Sequence, residues 1–224
     1  MRKRPTRSDF SHLIEPVDPM APDATVIGRA AEQIKKGGLV VFPTRGLYGL
    51  GADISQPEAV ARVFKAKRRP PNQPIGILIP SKARLDAWVT EIPESARKLM
   101  QTFWPGGITL VFSASTEVSE LLTGQTGKIG IRVPLHPVAA ALAGALEHPI
   151  TATSANLSGE PGCADVAELP SDLMAETAVV LDAGPLFGGA GSTVVDVTTR
   201  PPAILRQGSV PAADIRQCLG RRSA

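Results

Sequence analysis

Three short stretches carry residue types whose spacing permits chemistry: Lys67-Arg68-Arg69-Pro70, Thr153-Ser154-Ala155-Asn156-Leu157-Ser158-Gly159 and Pro43-Thr44-Arg45-Gly46-Leu47-Tyr48-Gly49-Leu50-Gly51. Lys67 and Arg69 put two cations on alternate residues, and Ser154 and Asn156 put a hydroxyl and an amide at the same spacing. Cations with neutral donors suit a polyphosphate better than they suit proton abstraction. The third stretch follows the apolar run Leu39-Val40-Val41-Phe42, which reads as a buried strand. It therefore reads as a Gly-rich turn leaving a strand end, where α/β proteins commonly bind ligands. Each stretch also has a plainer reading. Lys67 and Arg69 could be an exposed helix end neutralising terminal carbonyls, and Ser154 and Asn156 could be turn formers before Gly159.

Several familiar chemistries find no residues to carry them. The stretch Gly184 to Thr193 imitates a P-loop but lacks its lysine, and no G-x-G-x-x-G opens a helix after a strand. There is no G-x-S-x-G elbow and no carboxylate pair at suggestive spacing; Asp53, Asp182 and Asp196 are isolated, each expected to cap, turn or pair with a cation. With no nucleophile in view, the residues point to catalysis by placement and charge stabilisation. Cys163 and Cys218 lie far apart, and the histidines at 12, 136 and 148 have no metal-ligand spacing, so neither a disulfide framework nor a metal site is expected. That cysteine usage fits a reducing cytoplasm.

The elements that must position these residues follow from pattern. The 224 residues are 43% hydrophobic and 20% charged, which describes an ordinary globular chain long enough for a substantial core. A formal charge of +3 is compatible with an anionic ligand or RNA and decides nothing alone. No apolar run reaches the roughly 18 residues of a membrane helix. Residues 1 to 22, with a basic tip and Pro5, Pro16, Pro19 and Pro22, read as an extended arm preceding a domain at 23 to 224. Asp23 is placed to cap a helix over 24–36 that Gly37-Gly38 ends. Helices are expected also at 57–65, 82–89, 93–103, 136–147 and 211–219. Strands are expected at 39–42, 75–79, 108–112, 128–133, 149–153, 178–182, 192–198 and 203–206. Intermixed helices and strands without a composition break predict one α/β domain.

In order and spacing, the motifs resemble the YrdC/TsaC family, the threonylcarbamoyl-AMP synthases that serve tRNA modification. The resemblance rests on Phe-Pro-Thr-x-x-x-Tyr-Gly-Leu-Gly, Phe-x-Ala-Lys-x-Arg-Pro-Pro and Ser-x-Asn-x-Ser-Gly. It continues through Gly130-Ile131-Arg132-Val133-Pro134, Ser192-Thr193-Val194-Val195-Asp196 and Ile204-Leu205-Arg206-Gln207-Gly208, so it spans roughly residues 24 to 210. It implies a twisted mixed sheet flanked by helices around a concave cavity. It also implies a reaction that converts L-threonine, bicarbonate and ATP, with magnesium, into threonylcarbamoyl-AMP and pyrophosphate. Carried over by motif, Lys67, Arg69, Ser154, Asn156 and Arg206 would hold ATP, with Lys67 and Arg69 as the catalytic cations. Thr44, Arg132 and Ser192 would hold L-threonine, with Arg132 on its carboxylate. Partner proteins that transfer the threonylcarbamoyl group, and contact with tRNA, belong to the same expectation.

The chain departs from the family's usual pattern at Arg45-Gly46, where many members have an acidic residue followed by Thr, Ala or Ser. Gly46 is expected to remove a side chain from the amino-acid pocket and loosen selectivity. Leu78 stands where some members have His. Two other readings stay open: a relative making another carbamoyl-adenylate, and an RNA-binding module. The second would ordinarily show clustered cations among stacking aromatics, and the chain has one Tyr, two Trp and six Phe. Arg132 and Arg206 also have a plainer reading, as strand-end arginines pairing with surface carboxylates.

Overall fold

Asp23 opens the first helix as its sequence requires: its carboxylate accepts from the backbone N–H groups of Thr25 and Val26. Helix α1 then runs Ala24–Lys35 and buries Ile27, Ala30, Ala31 and Ile34, a stripe at helical spacing. Gly37 follows at φ +82°, a left-handed position that a glycine takes at little cost. The chain is described here from a computed structural model, which covers residues 7–220.

Ten strands form one mixed sheet in the order β1-β8-β2-β3-β7-β4-β6-β5-β9-β10. Their ranges are β1 Ile14–Pro16, β2 Leu39–Pro43, β3 Tyr48–Gly51, β4 Gly76–Leu78, β5 Ile108–Ser113, β6 Lys128–Arg132, β7 Ile150–Ser154, β8 Thr177–Asp182, β9 Thr193–Asp196 and β10 Ala203–Arg206. The remaining helices are α2 Pro57–Lys67, α3 Glu94–Phe103, α4 Glu120–Thr123, α5 Pro137–Gly144, α6 Ser171–Met174 and α7 Ala212–Gly220. The centre of the sheet is covered on both faces. Val40 and Phe42 of β2 pack with α1 and α5, while Leu39 and Val41 face the larger core that holds Val60, Val63 and Phe64 of α2. This is why β2 is apolar throughout rather than alternating. Farther along, β5, β6 and β9 alternate. Ile108, Leu110, Phe112, Ile129, Ile131 and Val195 turn inward to a core that includes Leu99 of α3 and Ile215 of α7. The intervening residues of those strands line an open cavity on the other face.

Three expectations are corrected. The arm read as extended instead forms a 3-10 helix, Arg7–Leu13, and strand β1, which pairs parallel with β8. Phe10 and Val17 are the buried anchors that make this worthwhile. The first six residues of the basic tip lie outside the described residues. The Gly-rich turn is shorter than expected, because Tyr48–Gly51 is strand β3, antiparallel to β2. A Cβ on Gly49 or Gly51 would press on the Phe42 ring at 3.1 or 2.8 Å, so these glycines serve strand packing. The helix expected at 82–89 shrinks to one 3-10 turn, Lys82–Arg84, because Val89 and Thr90 are drawn into pairing with the end of β5. Among the described residues no helix is long and apolar enough to cross a membrane.

Candidate active site

Helix α2 ends in a left-handed residue, Arg68 at φ +50°, and this turn sorts the three cations. Arg68 points out and pairs with Asp172, while Lys67 and Arg69 line the cavity. Lys67 is only 1% exposed. Its Nζ donates to the carbonyl oxygens of Ser154 and of Asn156, the latter at 2.7 Å. Among the described residues it meets no carboxylate. Burial, and then the nearby charge of Arg69, push its pKa down to about 8. Arg69 donates Nε to Gln73 O and Nη2 to Pro74 O, at 3.1 and 2.7 Å, and burial and the charge of Arg206 lower its pKa. The exposed helix end of the plainer reading therefore does not describe Lys67.

The loop after β7 supplies the opposing wall. Asn156 Nδ2 donates to Leu157 O and Glu160 O, both at 2.7 Å, while its Oδ1 faces Lys67 Nζ at 3.5 Å. Asn156 is thus a turn former and a partner of the lysine at once. On the far side, Arg206 of β10 reaches across to Ser192, donating to its carbonyl at 2.8 Å, and the Ser192 hydroxyl lies 2.7 Å from Thr109 Oγ1. Arg132, at the end of β6, has its pKa lowered to about 10 by burial and by Arg206. Among the described residues neither Arg132 nor Arg206 makes an ion pair. The surface-carboxylate reading of these two arginines fails.

All eight residues singled out from the sequence line one cavity of about 470 Å³. An adjoining cavity of about 390 Å³ lies between the loop at 187–191 and the turn after β2. Thr44, Arg132 and Ser192 line both cavities; Lys67, Arg69, Ser154, Asn156 and Arg206 line the first alone. The three residues shared by the two cavities are the three that the resemblance assigns to the amino acid. Thr44 Oγ1 donates to Leu47 O at 2.6 Å, which shapes the turn it sits in. Gly46 does not widen a pocket wall. A Cβ there would lie 2.4 Å from Gly188 O, so the position is filled by the opposing backbone, which bonds back from Gly188 N to Gly46 O.

Sequence reasoning passed over other lining residues. Lys128 is one, and it forms an ion pair at 2.9 Å with Asp196, the pairing with a cation that the sequence left open for this carboxylate. Burial works to raise the Asp196 pKa, but hydrogen bonds from Thr198 and Lys128 win and hold it below the usual carboxylate value. Ser158 also lines the cavity. Two buried side-chain polar atoms lack a hydrogen-bond partner among the described residues, Arg132 Nε and Ser158 Oγ, and both belong to this cavity. Unpaired buried polar atoms are costly, and clustering in one cavity marks a place built for a ligand. No group of three or more His, Cys, Asp or Glu that could hold a metal occurs among the described residues.

A family model named Sua5/YciO/YrdC, described as telomere recombination, matches residues 32–208. The chain belongs to this family. Among its members, the chain is 40% identical over 191 residues to the threonylcarbamoyl-AMP synthase of Pyrococcus abyssi, which covers 85% of this chain and 56% of that protein. The chain therefore spans little more than half of that relative. It is 34% identical over 182 residues to the threonylcarbamoyl-AMP synthase of Vibrio cholerae, covering 80% of this chain and 96% of the relative. Crystallographic Sua5 of P. abyssi in complex with L-threonine superimposes with a TM-score of 0.88 at 38% identity, over 92% of this chain and 61% of that one. The mixed sheet and its concave cavity are the Sua5/YciO/YrdC fold.

Proposed function

We propose that the chain joins L-threonine, bicarbonate and ATP into L-threonylcarbamoyl-AMP, releasing pyrophosphate and water, and so supplies threonylcarbamoyl transfer to tRNA by partner proteins. The observation that carries this reading is the division of the cavity. A cation-rich lobe with Lys67, Arg69 and Arg206 opens onto a junction where Thr44, Arg132 and Ser192 converge. The names of the P. abyssi and V. cholerae relatives, and the threonine held by P. abyssi Sua5, support it.

The chemistry follows from where charge appears. The threonine amine and bicarbonate give a carbamate and water. A carbamate oxygen then bonds to the α-phosphorus as the bond to the bridging oxygen breaks, and pyrophosphate leaves with that electron pair. Negative charge grows on the phosphates, so fixed cations near them lower the barrier. Lys67, Arg69 and Arg206 are placed for that role, and Arg132 Nε, a buried donor without an acceptor, suits the threonine carboxylate. Holding the carbamate beside the nucleotide replaces a bimolecular encounter, which is the help a site without a nucleophile can give.

Magnesium finds no ligand set among the lining residues. Among the described residues Asp196 is the one carboxylate there, and its oxygens are taken by Lys128 and Thr198. The lining groups fit phosphate and not a resident magnesium ion; the metal would arrive on the nucleotide.

Pyrophosphate release measured with each substrate omitted in turn tests the proposal. Release is expected only with ATP, threonine and bicarbonate together, and release that ignores threonine would overturn it.

A further inference from the structure

We propose that Ser158 is a phosphate-binding residue of the nucleotide lobe: its hydroxyl donates to a phosphate oxygen beside Lys67 and Arg69. The inference rests on the nucleotide reading above and adds a residue to it. Ser158 Oγ is buried and bonds to nothing among the described residues, although the residue lines the cavity. The loop does not need that hydroxyl. Ser158 is held by its backbone, whose N–H donates to Lys67 O at 2.8 Å, and the turn around it is held by Asn156 Nδ2 on Leu157 O and Glu160 O. A buried hydroxyl that serves no turn and meets no acceptor is unfavourable unless a ligand completes it.

The neighbouring groups identify that ligand as an anion. The backbone bond from Ser158 to Lys67 ties the loop to the end of α2, where Lys67 and Arg69 face the same cavity. Two of the three Lys67 ammonium protons are used on the Ser154 and Asn156 carbonyls, and Arg69 uses Nε and Nη2 on Gln73 and Pro74. The donors left over are the rest of the Arg69 guanidinium, the Ser158 hydroxyl, and a third ammonium proton held only by the long 3.5 Å contact to Asn156 Oδ1. A phosphate has acceptor oxygens enough for all three, and charge-assisted hydrogen bonds to it are the strong kind. An apolar or cationic group would leave each of them unpaired.

The test compares Ser158→Ala with the unmodified chain by calorimetric titration of a β,γ-imido ATP analogue, with adenosine and L-threonine titrated alongside. Ser158→Ala should weaken the analogue about tenfold, leave adenosine and threonine within about twofold, and leave the melting midpoint of the free protein unchanged or raised. Unchanged analogue affinity in the variant would overturn the inference while leaving the nucleotide reading intact. Equal weakening of the analogue and adenosine would place the hydroxyl on the nucleoside and overturn it as well. A lower midpoint, with the analogue and threonine weakened alike, would make Ser158 a structural residue. If the unmodified chain binds no analogue, the nucleotide reading itself fails, and the inference with it.

Discussion

Replacing Lys67 by alanine separates its two duties, because the lysine is both a buried structural donor and a site cation. Its Nζ satisfies the Ser154 and Asn156 carbonyls, so the variant leaves two acceptors without that partner. Each unsatisfied buried group costs about 1–3 kcal/mol. Part of that is offset, because the ammonium is itself disfavoured: a pKa pushed down to about 8 from an ordinary 10.5 corresponds to a penalty on the charged form on the order of 3 kcal/mol. The net expectation is a stability loss of about 1 kcal/mol, which for a chain of this size lowers the melting midpoint by roughly 2–4 °C. The variant should fold, contrary to a reading in which either nothing or everything depends on this residue. Below its own midpoint, it should bind an ATP analogue about 10- to 100-fold more weakly, the span of one charged hydrogen bond, with threonine nearly unaffected. Calorimetric titration and a thermal melt read the two effects separately. Unaltered nucleotide affinity in a folded Lys67→Ala protein would refute the assignment, and an unaltered midpoint would refute the buried bonding.

The remaining expectations address other parts of the site. The pKa of Lys67 is depressed, so the unfolded chain holds more protons than the folded one between about pH 8 and 10.5; this residue's contribution to stability should therefore rise with pH across that window. Nucleotide affinity should fall over the same range as the ammonium is lost, and Lys67→Arg should flatten that dependence in titrations from pH 7 to 10. Arg132→Ala should raise the threonine requirement at least tenfold and the ATP requirement less than threefold in steady-state pyrophosphate release; a defect confined to ATP would show the lobes assigned the wrong way round. Gly46→Ala should destabilise by about 1–3 kcal/mol, read as a lower melting midpoint, because its Cβ would meet the Gly188 carbonyl oxygen at 2.4 Å.

The parts of the fold legible in the sequence are those set by local chemistry. Asp23, the spacing of Ile27, Ala30, Ala31 and Ile34, and the left-handed Gly37 define α1 without reference to anything distant. Lys67 and Arg69 could be read together because a single turn of chain links them. What was hidden depends on contacts between remote segments. Gly49 and Gly51 look like turn residues until Phe42 lies across them, and Gly46 looks like an opening until Gly188 fills it. The Lys128–Asp196 pair exists because β9 lies beside β5 with Val111 opposite Asp196, while Ser113 of β5 faces Lys128 of β6, a register no local pattern encodes. The burial of Lys67 was hidden for the same reason, since its ammonium bonds to the carbonyls of Ser154 and Asn156, 87 and 89 residues farther along the chain.

The central claim is that this cavity builds one molecule from an amino acid, a one-carbon acid and an adenylate. The most direct measurement is mass spectrometry of the product formed from ATP, L-threonine and 13C-bicarbonate. The account predicts an adenylate containing threonine and a single labelled carbon, with pyrophosphate formed in equal amount. An unlabelled adenylate, an adenylate without threonine, or ADP and phosphate in place of pyrophosphate would contradict it.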